Sequence, residues 1–208
     1  MTERQKSLQE LIGELPPELH APVREGVEVL LARHARGDEA EGAEEPGPDS
    51  KVTLREITAE TVRDICRLSD TLAPPKKYMV APNAVSIAQA YFEPHAWFRA
   101  IYADEVPVGF VMLYDDPDEP EYFLWRFMIA GEHHGKGFGR RGLEKVIGYV
   151  KTRPGATVLE TSCGQGAGSP EGFYQAMGFR RNGEMLGSEV GLSLALAQSL
   201  PSEWNADG

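Results

Sequence analysis

The sequence predicts a mixed α/β fold, and three observations support this prediction. From Lys51 onward, stretches with the apolar pattern of strands alternate with stretches that have the pattern of helices. The run "YFLWRFMIA", residues 122–130, is apolar on both faces, which is typical of a strand in the middle of a sheet. Beginning at Leu143, apolar residues recur at i, i+3, i+4 and i+7, the spacing of an amphipathic helix that packs on a sheet.

The elements follow in a regular order, and turn and cap residues mark their ends. The predicted elements are a strand at 51–58, a helix at 59–69, a helix that begins near Asn83 as N-cap, a hairpin of strands 96–102 and 106–114, a strand at 122–130, a helix at 137–152, a strand at 156–163, a helix with Ser169 as N-cap, Pro170 at its first position and Gly178 as C-cap, and two closing strands within 179–196.

Composition divides the chain into four parts. Apolar stripes that start at Leu8 and Val23 predict a helical extension over residues 1–36. "GDEAEGAEEPGPDS", residues 37–50, predicts an acidic linker rich in Pro and Gly. The α/β domain is expected over 51–198 and a short tail over 199–208. The sequence leaves the role of the extension open: it could cap the domain, form a dimer or bind a partner.

The charge pattern excludes some classes of function. The net charge is −11, which argues against a nucleic-acid partner because phosphates need a cationic surface. Residues 1–50 hold 5 Lys and Arg against 12 Asp and Glu, so most of the acidity lies outside the α/β domain. No apolar run approaches the length of a membrane span or of a secretion signal, so a cytoplasmic protein is expected. Cys66 and Cys163 stand far apart with no spacing suited to zinc, so neither a disulfide nor a metal site is expected.

The stretch "HHGKGFGR", residues 133–140, lies between the central strand and the helix that follows it. A helix N-terminus presents unpaired N–H groups and attracts anions, and glycines let a phosphate approach the backbone. Lys136, Arg140 and Arg141 would add positive charge, so the stretch predicts a pyrophosphate site. The alternative is a glycine-rich turn with solvated cations. No Ser or Thr follows Lys136, so the P-loop motif is excluded, and the next strand lacks the acidic end of a dinucleotide-binding fold.

Two motifs in this order resemble the GNAT superfamily of N-acetyltransferases. The six residues 134–139, "HGKGFG", match the pattern [QR]-x-x-G-x-[GA], and "FYQAMGF", residues 173–179, matches F-Y-x-x-x-G-F. One helix and one strand separate the two motifs, and the similarity covers residues 51–198. The resemblance implies a mostly antiparallel central sheet whose middle strands splay apart, with flanking helices and acetyl-CoA between the splayed strands.

The resemblance also implies the cofactor-binding residues. The pantetheine arm would pair with the backbone of Met128 and Ile129. The pyrophosphate would meet the loop and helix start formed by His134, Gly135, Lys136, Gly137, Phe138, Gly139 and Arg140. Two departures from the pattern stand out: the usual Gln or Arg is His134, and an Asn common before the last helix is Ala167. Both departures predict weaker cofactor binding.

Acetyl transfer to an amine needs a neutral amine, a stabilised oxyanion and a protonated thiolate. By resemblance Tyr174 would be the catalytic acid, and a backbone N–H near Met128 or Ile129, beside a strand bulge, would face the oxyanion. An alkylamine of pKa about 10.4 costs about 4.6 kcal/mol to deprotonate at pH 7, so a base is needed. The candidate bases are Glu121, which is favoured, Glu160, and the acids of the loop "DDPDEPE", Asp115, Asp116, Asp118 and Glu119, for which solvent exposure is the main alternative.

Several functional readings stay open at this point. Trp97 and Trp125 could form an apolar or cation–π wall for an amine, or could be core residues of their strands. The leading hypothesis is acetyl-CoA-dependent N-acetylation of a small primary amine. The strand "LWRFMIA" followed by the loop "HGKGFG" resembles the polyamine-acetylating branch of the family, and the acidic loop would suit a cationic acceptor such as spermidine. The alternatives are acetylation of an aminoglycoside-like or protein amine, and a degenerate acyl-CoA-binding sensor without turnover. A homodimer is a further open alternative, because dimers are common in this family.

Overall fold

The computed structural model describes Pro17 and residues 45–196. The predicted extension apart from Pro17, the predicted tail and most of the predicted linker therefore lie outside the described residues. The seven strands are β1 Val52–Arg55, β2 Ala96–Ala103, β3 Val106–Asp116, β4 Glu121–Ile129, β5 Val158–Cys163, β6 Arg180–Leu186 and β7 Glu189–Ala195. The helices of this part are α1 Val62–Arg67, α2 Asn83–Ala90, α3 Phe138–Val150 and α4 Glu171–Ala176, and short 3₁₀ turns cover Leu68–Thr71, Lys76–Tyr78 and Gly131–His133.

The strands form one open sheet in the order β1-β2-β3-β4-β5-β7-β6. Neighbouring strands are antiparallel except β4 and β5, which are parallel. The mixed, mostly antiparallel sheet with flanking helices confirms the predicted fold class. No helix in the described part of the chain has both the length and the apolar character needed to cross a membrane.

Strand β3 shows how the sheet divides the core into two layers. Val111 and Leu113 pack in the cluster that includes the apolar side of α3, whereas Phe110 and Met112 pack with α1 and its neighbours on the other face. Alternate residues of a strand point to opposite faces, so a strand buried on both sides is apolar throughout. We call these the α3 face and the α2 face of the sheet.

Element boundaries differ from the predictions where local polar contacts decide them. Asn83 is the first residue of α2 and not its N-cap, since its buried side chain donates to the Ile65 carbonyl at 2.7 Å. Pro170, rather than Ser169, is the N-cap of α4, and the Ser169 hydroxyl accepts from the N–H of Glu171 at 3.3 Å.

Candidate functional site

A gap opens in the middle of the sheet between β4 and β5. The two strands pair at Phe123 with Glu160 and at Leu124 with Thr161, and beyond these pairs they diverge. A bulge lies at the same place, because Met112 and Leu113 of β3 pair with Arg126 and Leu124 and so leave Trp125 as an extra residue. A β-bulge bends its strand and interrupts pairing. The predicted splay of the middle strands is therefore present, and a cavity of about 500 Å³ lies beside β4 there.

The free edge of β4 presents backbone groups to this gap. The N–H of Ala130 donates to the Val108 carbonyl on β3 at 2.9 Å. Backbone groups alternate in direction along a strand, so those of Met128 also point to β3, while those of Phe127 and Ile129 point into the gap. Backbone pairing with a ligand therefore falls to Phe127 and Ile129, and Met128 contributes to the cavity wall. The bulge lies at Trp125, three residues before Met128, and not beside Met128 and Ile129 as the sequence suggested.

The glycine loop leads directly from this edge into helix α3. Gly135 and Gly137 have φ of 78° and 80°, a left-handed conformation that favours glycine. A Cβ atom at either position would meet nothing within 4 Å, so the space above the loop is open to a ligand. Gly137 is the N-cap of α3 and offers no side chain to the first turn. The unpaired N–H groups of this turn and the helix dipole together favour an anion.

Several cations surround this loop, and one of them, Lys136, belongs to the loop itself. Arg140 lines the cavity, and so does Lys76, whose Nζ donates to Nδ1 of His134 at 3.3 Å. Nε2 of His134 in turn donates to the Ile129 carbonyl at 2.8 Å, which fixes the loop against β4. Arg141, which the sequence placed around the phosphate, donates to the Ser50 carbonyl at 2.6 Å and to the Lys136 carbonyl of the loop at 3.3 Å. Arg141 therefore ties the loop to the start of the domain, whereas Lys76 and Arg140 line the cavity.

The opposite wall of the cavity comes from the start of α4. Phe173 lines the cavity and stacks on Phe127 with ring centroids 5.9 Å apart. Met79, in the loop before α2, also reaches this wall of the cavity. Its sulfur lies 3.1 Å from the position that a Cβ atom at Gly164 would take. The cavity is thus bounded on both sides of the gap.

Tyr174 lies behind Phe173 and does not line the cavity. It is 5% exposed, and its phenol interacts with the hydroxyl of Thr161, the last residue of β5 that pairs with β4. Burial raises the pKa of Tyr174 well above its ordinary value. The hydroxyl thus remains protonated at the apex of the gap. A phenol with a raised pKa gives up its proton less readily than an ordinary tyrosine of pKa about 10, and its O–H group can still donate a hydrogen bond.

A polar cluster occupies the α2 face beside the gap. Arg126 of β4 lies two residues before Met128 on this face and donates to Gln89 of α2 at 3.3 Å. From the far side of the gap, the Ser162 hydroxyl of β5 donates to the carboxylate of Glu189 on β7. The negative charge of Glu189 acts to raise the pKa of both Arg126 and Tyr174.

The structure does not bring the predicted acceptor residues together. Glu121 is the exposed first residue of β4, roughly 20 Å along the strand from Phe127. Trp97 stacks on Tyr149 at 4.3 Å between centroids and belongs to the core on the α3 face. Trp125 packs with the core cluster of the α2 face, and Glu160 lies near the amide of Asn182 at 3.5 Å.

The first two acids of the acidic turn, Asp115 and Asp116, have a structural role. Solvent exposure, the alternative given for all four acids of this turn, is therefore wrong for these two. Asp115 and Asp116 are 8% and 7% exposed. Asp115 accepts from the Tyr149 hydroxyl at 2.6 Å and from Arg153 at 2.9 Å. Asp116 accepts from the backbone N–H groups of Asp118 and Glu119, whose own side chains are exposed.

A helix start that offers backbone N–H groups and left-handed glycines beside a split sheet defines a binding site for a phosphorylated cofactor. The chain belongs to the acetyltransferase (GNAT) family, whose model matches residues 64–179, more than half of the chain. Enzymes of this family use acetyl-CoA as the acetyl donor, which is the cofactor expected from the sequence.

Two curated relatives and one solved structure show the extent of the similarity. The chain is 28% identical over 102 residues to an L-2,4-diaminobutyric acid acetyltransferase of Streptomyces avermitilis, a match of 49% of this chain and 56% of the relative. It is 29% identical over 99 residues to the protein of the same name from Streptomyces coelicolor, a match of 47% and 58%. The chain thus spans little more than half of these relatives. The fold is similar to that in the crystal structure of spermidine N-acetyltransferase from Vibrio cholerae in complex with CoA and spermine, with a TM-score of 0.52 and 16% identity. This match covers 71% of this chain and 96% of that one, and it shows a likeness of fold.

Sequence reasoning missed several residues that the fold brings to the site. Lys76 and Phe173 line the cavity, and Arg126, Ser162 and Glu189 form the polar cluster. Phe173 stood inside a motif already noted, so the motif could have pointed to it. The others are single residues on separate elements, and no local spacing distinguishes them.

Proposed function

We propose that the protein is an acetyl-CoA-dependent N-acetyltransferase of a small primary amine. The observation that carries the proposal is the gap between β4 and β5, in which the backbone edge at Ile129 continues into the glycine loop and the start of α3. One end of this path suits an extended amide chain that pairs with a strand edge. The other end suits a pyrophosphate, so the path fits CoA.

The residues present fit the cofactor on physical grounds. Phe127 and Ile129 offer backbone groups to the pantetheine arm, and the first turn of α3 offers N–H groups to the phosphates. Lys76 and Arg140 add charge at the same end. The His134 side chain is committed to the Ile129 carbonyl, so its role in the proposal is to hold the loop. Bound acetyl-CoA supplies the acetyl group as an activated thioester.

Tyr174 and Glu189 are proposed to handle protons on either side of the reaction. The protonated phenol of Tyr174, at the apex of the gap, donates a hydrogen bond to the leaving sulfur. Glu189 accepts the proton of the amine, directly or through one water. Among Glu121, Glu160 and Glu189, the carboxylate of Glu189 acts on the pKa of Tyr174, which supports its assignment as the base.

The acceptor class is narrower than amines in general. Both curated relatives are L-2,4-diaminobutyric acid acetyltransferases, which supports an acceptor that is a diamine of amino-acid type. The polyamine hypothesis relied in part on the acidic turn, and two acids of this turn are bound to Tyr149, Arg153 and the backbone. A small diamine that also carries a carboxylate is therefore preferred over spermidine.

The test is a thiol-release assay with acetyl-CoA and four acceptors: L-2,4-diaminobutyrate, 1,3-diaminopropane, spermidine and an aminoglycoside. Release stimulated by at least one small amine supports the proposal. Binding of acetyl-CoA without release for any amine would instead support the sensor alternative. Failure to bind acetyl-CoA in a thermal-shift assay would contradict the assignment of the glycine loop as a phosphate site.

A further inference from the structure

Arg126 is a half-buried cation that the fold places beside the cavity. The bulge at Trp125 puts Trp125 and Arg126 on the same face of the sheet, since the alternation of side chains is interrupted there. Met128, two residues later on this face, lines the cavity and lies roughly 7 Å further along the strand. The guanidinium is therefore next to the region where the gap begins.

The hydrogen bonds of Arg126 leave its charge without a carboxylate partner. Nη1 donates to the carbonyl of Trp125 at 2.8 Å, and Nη2 donates to the neutral amide of Gln89 at 3.3 Å. Nε is buried and has no hydrogen-bond partner among the described residues. Within the described part of the chain, no carboxylate lies within 4.0 Å of this guanidinium.

Arg99 on β2 shows what a structural arginine looks like in the same sheet. Like Arg126, it donates Nη1 to the preceding carbonyl, that of Phe98 at 2.7 Å. Its guanidinium lies over the ring of Trp97, as that of Arg126 lies over the ring of Trp125. Its Nη2, however, reaches the carboxylate of Glu56 at 3.1 Å. Arg126 has Gln89 in the place where Arg99 has an acid. A half-buried guanidinium that has no carboxylate in contact is suited to bind an anion from outside the chain.

Glu189 supplies the opposite charge across the gap. Its carboxylate accepts a hydrogen bond from Ser162 and acts on Arg126 without forming a contact ion pair. Burial lowers the pKa of the Arg126 guanidinium, and the field of Glu189 opposes that shift. Arg126 on β4 and Glu189 on β7 thus lie on either side of the gap, an arrangement that suits a ligand with one anionic and one cationic group.

We propose that Arg126 binds the carboxylate of the amine acceptor, so that the protein selects amino acids with a second amine over amines that lack a carboxylate. This inference rests on the proposed N-acetyltransferase function and deepens it. Arg126 is then a specificity-determining residue. Its planar guanidinium suits a carboxylate through two parallel hydrogen bonds.

The experiment compares two probes that differ in the carboxylate alone. L-2,4-Diaminobutyrate and 1,3-diaminopropane share the same pair of amines, and the first carries an additional carboxylate. Their dissociation constants are measured by isothermal titration calorimetry with the full chain in the presence of CoA. The expected preference of the unchanged protein for L-2,4-diaminobutyrate is about 10- to 100-fold, the range for a charge-assisted hydrogen-bonded pair.

Arg126→Met is expected to abolish most of this preference, and Arg99→Met is the matched control that keeps it. The melting temperature of each variant reports whether it is folded. If Arg126→Met does not fold, Arg126→Lys tests the inference in its place, because it keeps the positive charge and loses the planar pair of hydrogen-bond donors. A preference that falls at least threefold in Arg126→Lys supports the inference. An unchanged preference in either folded variant, or no preference in the unchanged protein, would overturn it.

The two readouts separate this inference from the proposed function. A binding preference that depends on Arg126, without any thiol release, would leave the carboxylate site standing and refute acetyl transfer. Thiol release with equal affinity for both diamines would support acetyl transfer and refute the carboxylate site.

Discussion

The two ends of the site are built in different ways. At the proposed cofactor end the groups available to a ligand are backbone N–H groups, from Ile129 and from the loop around Gly137. At the proposed acceptor end they are side chains, Arg126 and Glu189 from strands on either side of the gap. The cofactor end depends on glycine spacing and helix position, whereas the acceptor end depends on which side chains the fold brings together. Changes at the two ends should therefore affect different measured quantities.

The largest expected effect is that of Glu189→Gln at the acceptor end. The amide still accepts a hydrogen bond from Ser162 but cannot take up the proton of an ammonium. We expect kcat for L-2,4-diaminobutyrate to fall about 100-fold or more at pH 7, with the dissociation constant of acetyl-CoA changed less than about twofold. Thiol release and a thermal-shift titration measure the two quantities. Glu184→Gln on β6 is the matched control, and an equal loss of kcat in both variants would contradict the role of Glu189.

Gly137→Val tests the cofactor end. A β-branched residue is strained at a φ of 80°, and its side chain would enter the open space above the loop. We expect acetyl-CoA affinity to fall about 10- to 100-fold, because the loop can no longer present its N–H groups to the phosphates.

Gly148→Ala is the control for this change, since Gly148 lies within the same helix and a Cβ there also meets nothing within 4 Å. This control should raise the free energy of unfolding by roughly 0.5 to 1 kcal/mol and leave acetyl-CoA affinity unchanged. If Gly137→Val binds acetyl-CoA as well as Gly148→Ala does, the phosphate site lies elsewhere.

Tyr174→Phe tests the point where the two ends meet. The ring keeps its place in the core, and the hydrogen bond to the leaving sulfur is lost. We expect kcat to fall about tenfold, with little change in the affinity for either substrate. Tyr102→Phe removes a buried phenol on the α2 face and should leave kcat unchanged. A Tyr174→Phe variant with the kcat of the unchanged protein would show that the phenol serves packing alone.

The smallest effect is expected away from both ends, at Tyr149 in the acidic turn. Burial and the hydrogen bond to Asp115 raise the pKa of Tyr149 to about 12. Because this folded-state pKa lies above the ordinary value of about 10, the stabilisation is fully present below pH 10 and is lost as the pH rises through 12.

Tyr149→Phe should therefore lower the free energy of unfolding by roughly 0.5 to 1 kcal/mol at pH 7, with kcat unchanged. The difference should shrink above pH 10, and urea denaturation at pH 7, 9 and 11 measures it. A difference that stays constant from pH 7 to pH 11 would contradict the raised pKa of Tyr149 in the folded protein.

The contrast between the two ends also explains what could be predicted from the sequence. The order of strands and helices followed from apolar periodicity, and the glycine loop followed from spacing, because both are local properties of the chain. The polar cluster could not be predicted, since Arg126 and Glu189 are 63 residues apart and are brought to the two sides of the gap by the order of the strands. Asp115 was misread for a related reason: its partners Tyr149 and Arg153 come from the end of a helix more than 30 residues later.

The bulge in β4 has a consequence for the balance between stability and ligand binding. Pairing between β4 and β5 stops at Leu124, the residue just before the extra Trp125. A chain that lacks Trp125 would continue β4 as a regular strand, and the two strands could add further backbone hydrogen bonds to each other. Such a chain is expected to resist heat and denaturant better and to bind no CoA. The single additional residue keeps the sheet incomplete, and the hydrogen bonds that the sheet does not make with itself are the ones that it offers to a ligand.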